Sequence, residues 1–257
     1  MANTVYANQV IEAKAKDLLS TAVNVRNLMT IDNELAENAG MTKVINTYTY
    51  SGTAEEVAAG EGNTNRGSIS FVPNSYTVKT VQQAFDYTDE DFYKDPTIVD
   101  NGLKGANQLM VNKMTSDFIG ECAKATLKVE GVSAFGYEAI VDGIAKLNVE
   151  DESKLIVVIP NDWKAELRKD EDYKTARMGE VIYNGQVGTV AGIPVVATKA
   201  ATEAYVLSKE AIKLFIKKDV EVEQDRDKDL RKNSIYLRAI YLCALADATQ
   251  ICKITKA

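Results

Sequence analysis

The sequence predicts an α+β chain in which a β ribbon and one long helix are added to a compact mixed core. Three observations carry this. Two segments rich in Thr, Tyr, Val, Ile and Phe, Thr42–Tyr50 and Ser68–Phe85, flank a glycine-containing stretch at 52–67. A single apolar stripe then repeats at steps of three or four from Val99 to Ala125. After Glu130, short helical patterns alternate with short apolar strands. The chain has 257 residues, 46% hydrophobic and 26% charged, which suits one large domain or two modest ones. At this size folding buries roughly 70 to 75% of the unfolded chain's surface, so a core needs neither disulfides nor metal.

The elements follow in order. Over residues 8–25, Val10, Ile11, Leu18, Leu19, Ala22 and Val25 recur at mixed three and four spacings, which predicts a short amphipathic helix. The polar stretch Asp32–Gly40 has little to bury, so this N-terminal arm is expected to dock on another surface. Thr42–Tyr50 and Ser68–Phe85 read as two strands, since β-branched and aromatic residues suit a pleated, half-buried surface. Between them, Gly52, Gly60, Gly62 and Gly67 with no aromatic anchor predict a long mobile tip. A two-stranded ribbon is marginal alone in water, so it requires a partner surface, which we expect to be another subunit.

Asp95-Pro96 signals a helix start. The stripe Val99, Leu103, Ala106, Met110, Met114, Phe118, Cys122 and Ala125 then predicts a helix of about 27 residues, roughly 40 Å long. Tyr137–Leu147 reads as a helix, Lys154–Ile159 as a strand buried on both faces, and Asn161–Lys169 as a helix after Pro160. Residues 187–198 predict two short strands, with Gly188 and Gly192 at tight positions and Pro194 at an edge. Tyr205–Ser208, Lys213–Ile216 and Val220–Glu223 add strands. A charged loop, Asp225–Asn233, leads to a long strand, Ser234–Ala246, and a last one, Thr249–Thr255. A two-residue turn at Asp247–Ala248 would set Cys243 opposite Cys252.

Composition excludes several function classes. There is no histidine among the 257 residues, which removes the commonest general base, the serine and cysteine triads and most catalytic zinc sites. The net charge is −7 with scattered basic residues, against a strong nucleic-acid footprint. No apolar run approaches the ~20 residues of a membrane span, and the N-terminus lacks signal-peptide features, so a cytosolic place of synthesis is expected. Cys122, Cys243 and Cys252 form no C-x-x-C pair and read as buried free thiols.

Motifs that could carry chemistry fail on spacing. GEGNTNRG has Asn65 where a dinucleotide fingerprint needs its third glycine. Asp225, Asp227 and Asp229 imitate a calcium loop, but Leu230 and Tyr236 stand where glycine and a bidentate Glu belong. Asp86, Asp89, Glu90 and Asp91 precede a helix and read as a solvated cap. We therefore assign no catalytic, cofactor or metal residue, and nothing argues for an enzyme.

The order of elements resembles the major capsid proteins of tailed bacteriophages, of the Hong Kong 97 type, over essentially the whole chain. The pieces that carry it are VVIPNDWKAELR (157–168), the stretch Gly188–Val196, and VEVEQDRDKDLRKNSIYLRA (220–239). The resemblance implies an N-terminal arm at 1–41 and an extended loop at 42–87. It implies a peripheral domain with the spine helix at 88–130 and 219–248, and an axial domain at 131–218 and 249–257. It implies a shell subunit that forms pentameric and hexameric capsomers and encloses double-stranded DNA without sequence-specific contacts, its partners being itself, a portal and a scaffold.

Two departures matter. Only about forty residues precede the ribbon, too few for the cleaved scaffolding region of some members, which implies either a separate scaffolding protein or a chain already trimmed, with Met1 favouring the former. Some members weld a ribbon Lys to an Asn of the peripheral loop; Asn233 lies in the matching loop, but 52–67 contains no Lys, so no such cross-link is expected. In its place, Glu55, Glu56, Glu61 and Arg66 of the ribbon tip and Asp225, Arg226, Asp227, Lys228 and Arg231 of the peripheral loop are expected to form intersubunit salt bridges, each contributing ~1 kcal/mol or less at exposed sites. The rival readings are an encapsulin-like nanocompartment shell, a phage tail structural protein, and a small α+β enzyme using Lys and carboxylates.

Overall fold

The computed structural model describes residues 10–15, 25–37, 40–176 and 188–257. The helix expected over 8–25 lies mainly outside the described residues. Its described part is helical at 10–15 (α1), with Ile11 and Ala15 buried. The next elements are β1 (Thr30–Asp32) and α2 (Glu34–Glu37). Leu35 of α2 is buried in a small cluster with Val78, Phe215, Leu242 and Ala244, so Asp32–Gly40 buries one anchor despite its polarity.

The ribbon is β2 (Thr42–Ser51) paired antiparallel with β3 (Ser68–Thr77). The predicted single strand Ser68–Phe85 is in fact two. The break is at Val78, which is buried and whose N–H donates to Met41 O at 2.7 Å. Beyond it, β4 (Lys79–Thr88) leaves the ribbon and joins the body. There follow α3 (Asp89–Lys94), capped by a reciprocal Thr88–Asp91 box, and α4 (Ile98–Cys122, 25 residues). The helix starts two residues past Pro96, and all seven predicted stripe residues from Val99 to Cys122 are buried.

The remaining elements are β5 (Leu127–Val132), α5 (Tyr137–Leu147), β6 (Leu155–Pro160), α6 (Lys164–Lys169), α7 (Glu171–Ala176), β7 (Thr189–Val190), β8 (Ile193–Thr198), β9 (Ala204–Ser208), β10 (Ile212–Asp227), β11 (Lys232–Leu245) and β12 (Ile251–Lys256). They build two sheets. One has the order β1-β10-β11-β4 and the other β5-β12-β9-β6-β8-β7. The continuous apolar run of β6 has a direct cause: its faces serve two cores. Ile156 and Val158 join the cluster containing the α4 stripe, while Leu155, Val157 and Ile159 join the cluster containing Ala139, Ile140 and Ile144 of α5. Gly143 lets α5 lie close to the sheet, since a Cβ there would come 2.9 Å from Val206 Cγ2.

Three further expectations are corrected. Lys213–Ile216 and Val220–Glu223 are not separate strands but parts of β10, whose pairing with β11 shifts register between Ile216 and Glu221; such bulges bend a strand. Cys243 and Cys252 do not face each other, because β12 turns away through Ala248–Gln250 into the other sheet. Cys243 pairs in register with Leu214, and Cys252 with Val206 and Leu127. All three cysteines are buried free thiols. Pro194 lies one strand in from the edge, opposite Thr189 of two-residue β7, while Ala191 and Gly192 make the tight turn with φ of 50° and 80°.

Candidate intersubunit surfaces

The ribbon has two unlike faces. Its register puts Tyr50 opposite Ile69, Tyr48 opposite Phe71, Asn46 opposite Pro73 and Val44 opposite Ser75, and directly paired residues share a face. That face is apolar and wet: Tyr50 is 70% exposed, Ile69 68%, Tyr48 62%, Phe71 60% and Val44 51%. The Tyr48 and Phe71 rings lie 6.1 Å apart. The other face carries Thr47, Thr49, Ser51, Ser68, Ser70 and Asn74 with one exposed apolar residue, Val72, opposite Thr47, and has Ile45 and Tyr76 at the base packing on the body. Among the described residues nothing covers the apolar face.

The tip is more ordered than its glycines predict. Glu55 Oε1 accepts from Thr64 N–H at 2.5 Å and Asn65 N–H at 3.1 Å, and its other oxygen accepts from Thr64 Oγ1 at 3.1 Å. Asn65 in turn donates to Thr53 O at 3.1 Å. These backbone donors, Asn65 first, hold the Glu55 carboxyl below the usual carboxylate range. Glu55 therefore closes a loop within its own chain. Glu56, Glu61 and Arg66 are exposed and make no side-chain hydrogen bond or ion pair with the described residues.

The predicted peripheral loop is the β10–β11 turn with its flanking residues, and it packs on α3. Arg226 Nη2 donates to Asp89 Oδ2 at 2.6 Å, Asn233 Nδ2 to Asp89 Oδ1 at 2.8 Å, and Arg231 pairs with Glu90 at 2.9 Å. Asp89 N–H donates to Arg231 O at 3.1 Å. Asp227 Oδ1 receives the N–H groups of Asp229 and Leu230, and Asp225 that of Arg226. Of the five predicted residues, Arg226 and Arg231 thus anchor α3, Asp225 and Asp227 shape the turn, and exposed Lys228 makes no pair with the described residues. Asn233 is buried.

Cavities add little chemistry. One of about 760 Å³ lies between the β5–α5 loop and α6–α7 and is lined by Glu130, Glu138, Asp142, Glu166 and Asp170 among others. Its best-placed acids are engaged in structure. Glu166 accepts from Lys256 and Phe135 N–H, and Asp170 accepts from Tyr137 N–H at the start of α5. Lys256 holds the Glu166 carboxyl below its ordinary range. Among the described residues no group of His, Cys, Asp or Glu could hold a metal ion, and no helix is long and apolar enough to cross a membrane.

The charges singled out from the sequence therefore mostly serve the subunit's own fold, and the tyrosines, Ile69 and Phe71 were passed over. Their signal was present in the alternation of TYTYS (47–51) and SISFV (68–72).

No family model matches the chain. It is 27% identical over 238 residues to the major capsid protein of Staphylococcus phage phiMR11, covering 88% of this chain and 84% of that one. Among solved structures, Mycobacterium phage Ogopogo superposes with a TM-score of 0.68 at 11% identity, covering 91% of each chain. The capsid of cyanophage P-SCSP1u gives 0.67 at 11%, covering 90% of this chain and 86% of that one. A virus-like particle from Pyrococcus furiosus gives 0.68 at 10%, covering 96% and 98%. These likenesses extend over nearly the whole chain and establish its fold.

Proposed function

We propose that this chain, whose fold is that of tailed-phage capsid proteins and whose sequence resembles a phage major capsid protein, is the structural subunit of an icosahedral phage head. The observation that carries this is the uncovered apolar face of the ribbon. A soluble monomer has no reason to hold Tyr48, Tyr50, Ile69 and Phe71 in water on a two-stranded extension, whereas a subunit whose fold is completed by identical neighbours does. Each copy then meets the same surface under closed symmetry.

In this reading the arm (1–41) and the extended loop (42–87) reach onto neighbouring copies. The peripheral domain (88–130 and 219–248) lies where capsomers meet, and the axial domain (131–218 and 249–257) surrounds the capsomer centre. The subunit assembles with itself into pentameric and hexameric capsomers, with a separate scaffolding protein and a portal, and encloses double-stranded DNA. It is made in the host bacterial cytoplasm and ends in the virion. Its role is structural and not enzymatic. A net charge of −7 supports a wall that does not grip phosphates. The shell is held without covalent cross-links, so assembled particles give a single subunit band on denaturing gels.

The exposed charges without partners among the described residues, Glu56, Glu61, Arg66 and Lys228, remain available for intersubunit pairs. Glu55, Asp225, Arg226, Asp227 and Arg231 contribute indirectly by shaping the surfaces. The test is electron microscopy and light scattering of the purified chain, with and without the products of neighbouring genes. Closed shells or five- and six-fold rings are expected. Tubes would move the assignment to a tail component, and a compact monomer under every condition would overturn it. The likeness to an archaeal virus-like particle supports a second reading, a nanocompartment shell, which would contain a cargo protein in place of DNA.

A further inference from the structure

The corner where α3 meets the β10–β11 turn carries two large apolar side chains left in water. Tyr93 is 82% exposed and Leu230 67%. Their placement is rigid. Arg231, the residue after Leu230, is tied to α3 through Glu90 at 2.9 Å and through its carbonyl to Asp89 N–H at 3.1 Å. Arg226 grips the Asp89 side chain at 2.6 Å. Leu230 is thereby fixed beside the first turn of α3, and Tyr93 lies one turn further along. Phe92 is partly buried on the main core, with its ring 6.4 Å from that of Tyr87, and the exposed Tyr93 ring meets its edge at 6.5 Å.

The surroundings say what covers this corner. Lys94, Lys228 and Asp229 are exposed and make no side-chain hydrogen bond or ion pair with the described residues. An apolar pair rimmed by charges of both signs is complementary to another copy of itself, as an isologous contact between identical subunits requires. A strongly acidic or basic partner would instead meet like charge on part of the rim.

Resting on the shell-subunit reading, we infer that Tyr93 and Leu230 are the apolar centre of a contact between copies of this chain, with Lys94, Lys228 and Asp229 at its rim. Arg226 and Arg231 are positioning residues that hold the two elements together. This reverses the expectation that the loop arginines themselves bridge subunits. Aromatic and aliphatic side chains desolvated at the middle of an interface carry most of its energy, while rim charges carry little.

The experiment compares the unmodified chain with Tyr93→Ser, Leu230→Ser and the double variant, measuring assembly by light scattering and thermal unfolding of the dissociated subunit. The expected result is an unchanged unfolding temperature with the assembly concentration raised at least tenfold in the double variant. Shells forming at the unmodified concentration would overturn the inference and leave the shell reading intact. An unmodified chain that never assembles, alone or with the products of neighbouring genes, would overturn both. Nitration of Tyr93, mapped by mass spectrometry, gives a second readout in shells made from the purified chain alone. Protection relative to dissociated subunits is expected, and equal reactivity would overturn the assignment.

Discussion

Phe71→Ser separates the stability of the subunit from that of the assembly. Phe71 is 60% exposed in the single chain. A phenylalanine offers about 200 Å², so about 120 Å² waits to be covered, which at ~25 cal/mol per Å² is about 3 kcal/mol as an upper value. Within the subunit the loss is confined to the cross-strand pair with Tyr48, about 0.5 to 1 kcal/mol, and the unfolding temperature falls by only a few degrees. Each subunit carries one ribbon, so a loss of 3 kcal/mol per subunit raises the assembly concentration by roughly 100-fold. Light scattering across a concentration series reads this directly. Ser70→Ala, on the hydroxyl face, is the control and changes assembly little. A Phe71→Ser chain that assembles at the unmodified concentration would show that the apolar face is not buried between subunits.

Three other outcomes are expected. Asn107 is buried on α4 and neither its Oδ1 nor its Nδ2 has a partner among the described residues. Asn107→Ala removes a penalty of about 1 to 3 kcal/mol and leaves a small cavity costing about 1 kcal/mol; its unfolding temperature rises by a few degrees, and a fall would refute the account. Stability is flat between about pH 5.5 and 8, because no histidine titrates and the raised thiols of Cys122, Cys243 and Cys252 lower stability only as pH passes the ordinary thiol range. Lys232 lowers the Asp86 pKa and Lys256 that of Glu166, so their stabilisation is complete above the ordinary carboxylate range and is lost as pH falls through their lowered values. Asp86 raises the Lys232 pKa, a contribution complete below the ordinary lysine value and lost above it. Melting curves with a step between pH 6 and 8 would contradict this. Burial, with Asp117 adding to it, pushes the Cys243 thiol up to about 12, and burial raises Cys122 and Cys252 as well. Thiol titration at neutral pH without reductant therefore counts none in the native subunit and three after unfolding, since the thiolate is the reactive form.

Much of this was open to local inference. The stripe from Val99 to Cys122 predicted its own burial because the helical period puts those residues on one face. The run KLIVVI predicted a doubly covered strand, and the two cores on either side of β6 are the reason. The partners of exposed charges were not open in this way. Arg226 looks the same in sequence whether it meets a neighbouring subunit or Asp89, 137 residues earlier. Glu55 likewise looks like a free tip charge until the loop brings Thr64 and Asn65 back over it.

From sequence alone came the absence of histidine chemistry, the long helix, the ribbon and the order of strands and helices, since these depend on composition and on periods of two or 3.6 residues. Only the tertiary structure split Ser68–Phe85 at Val78, sent β12 to a different sheet from β11, and turned the ribbon's aromatics outward. Strand propensity is local and nearly equal on both sides of Val78, whereas the identity of the pairing strand, β2 on one side and β11 on the other, is set by contacts far apart in the chain.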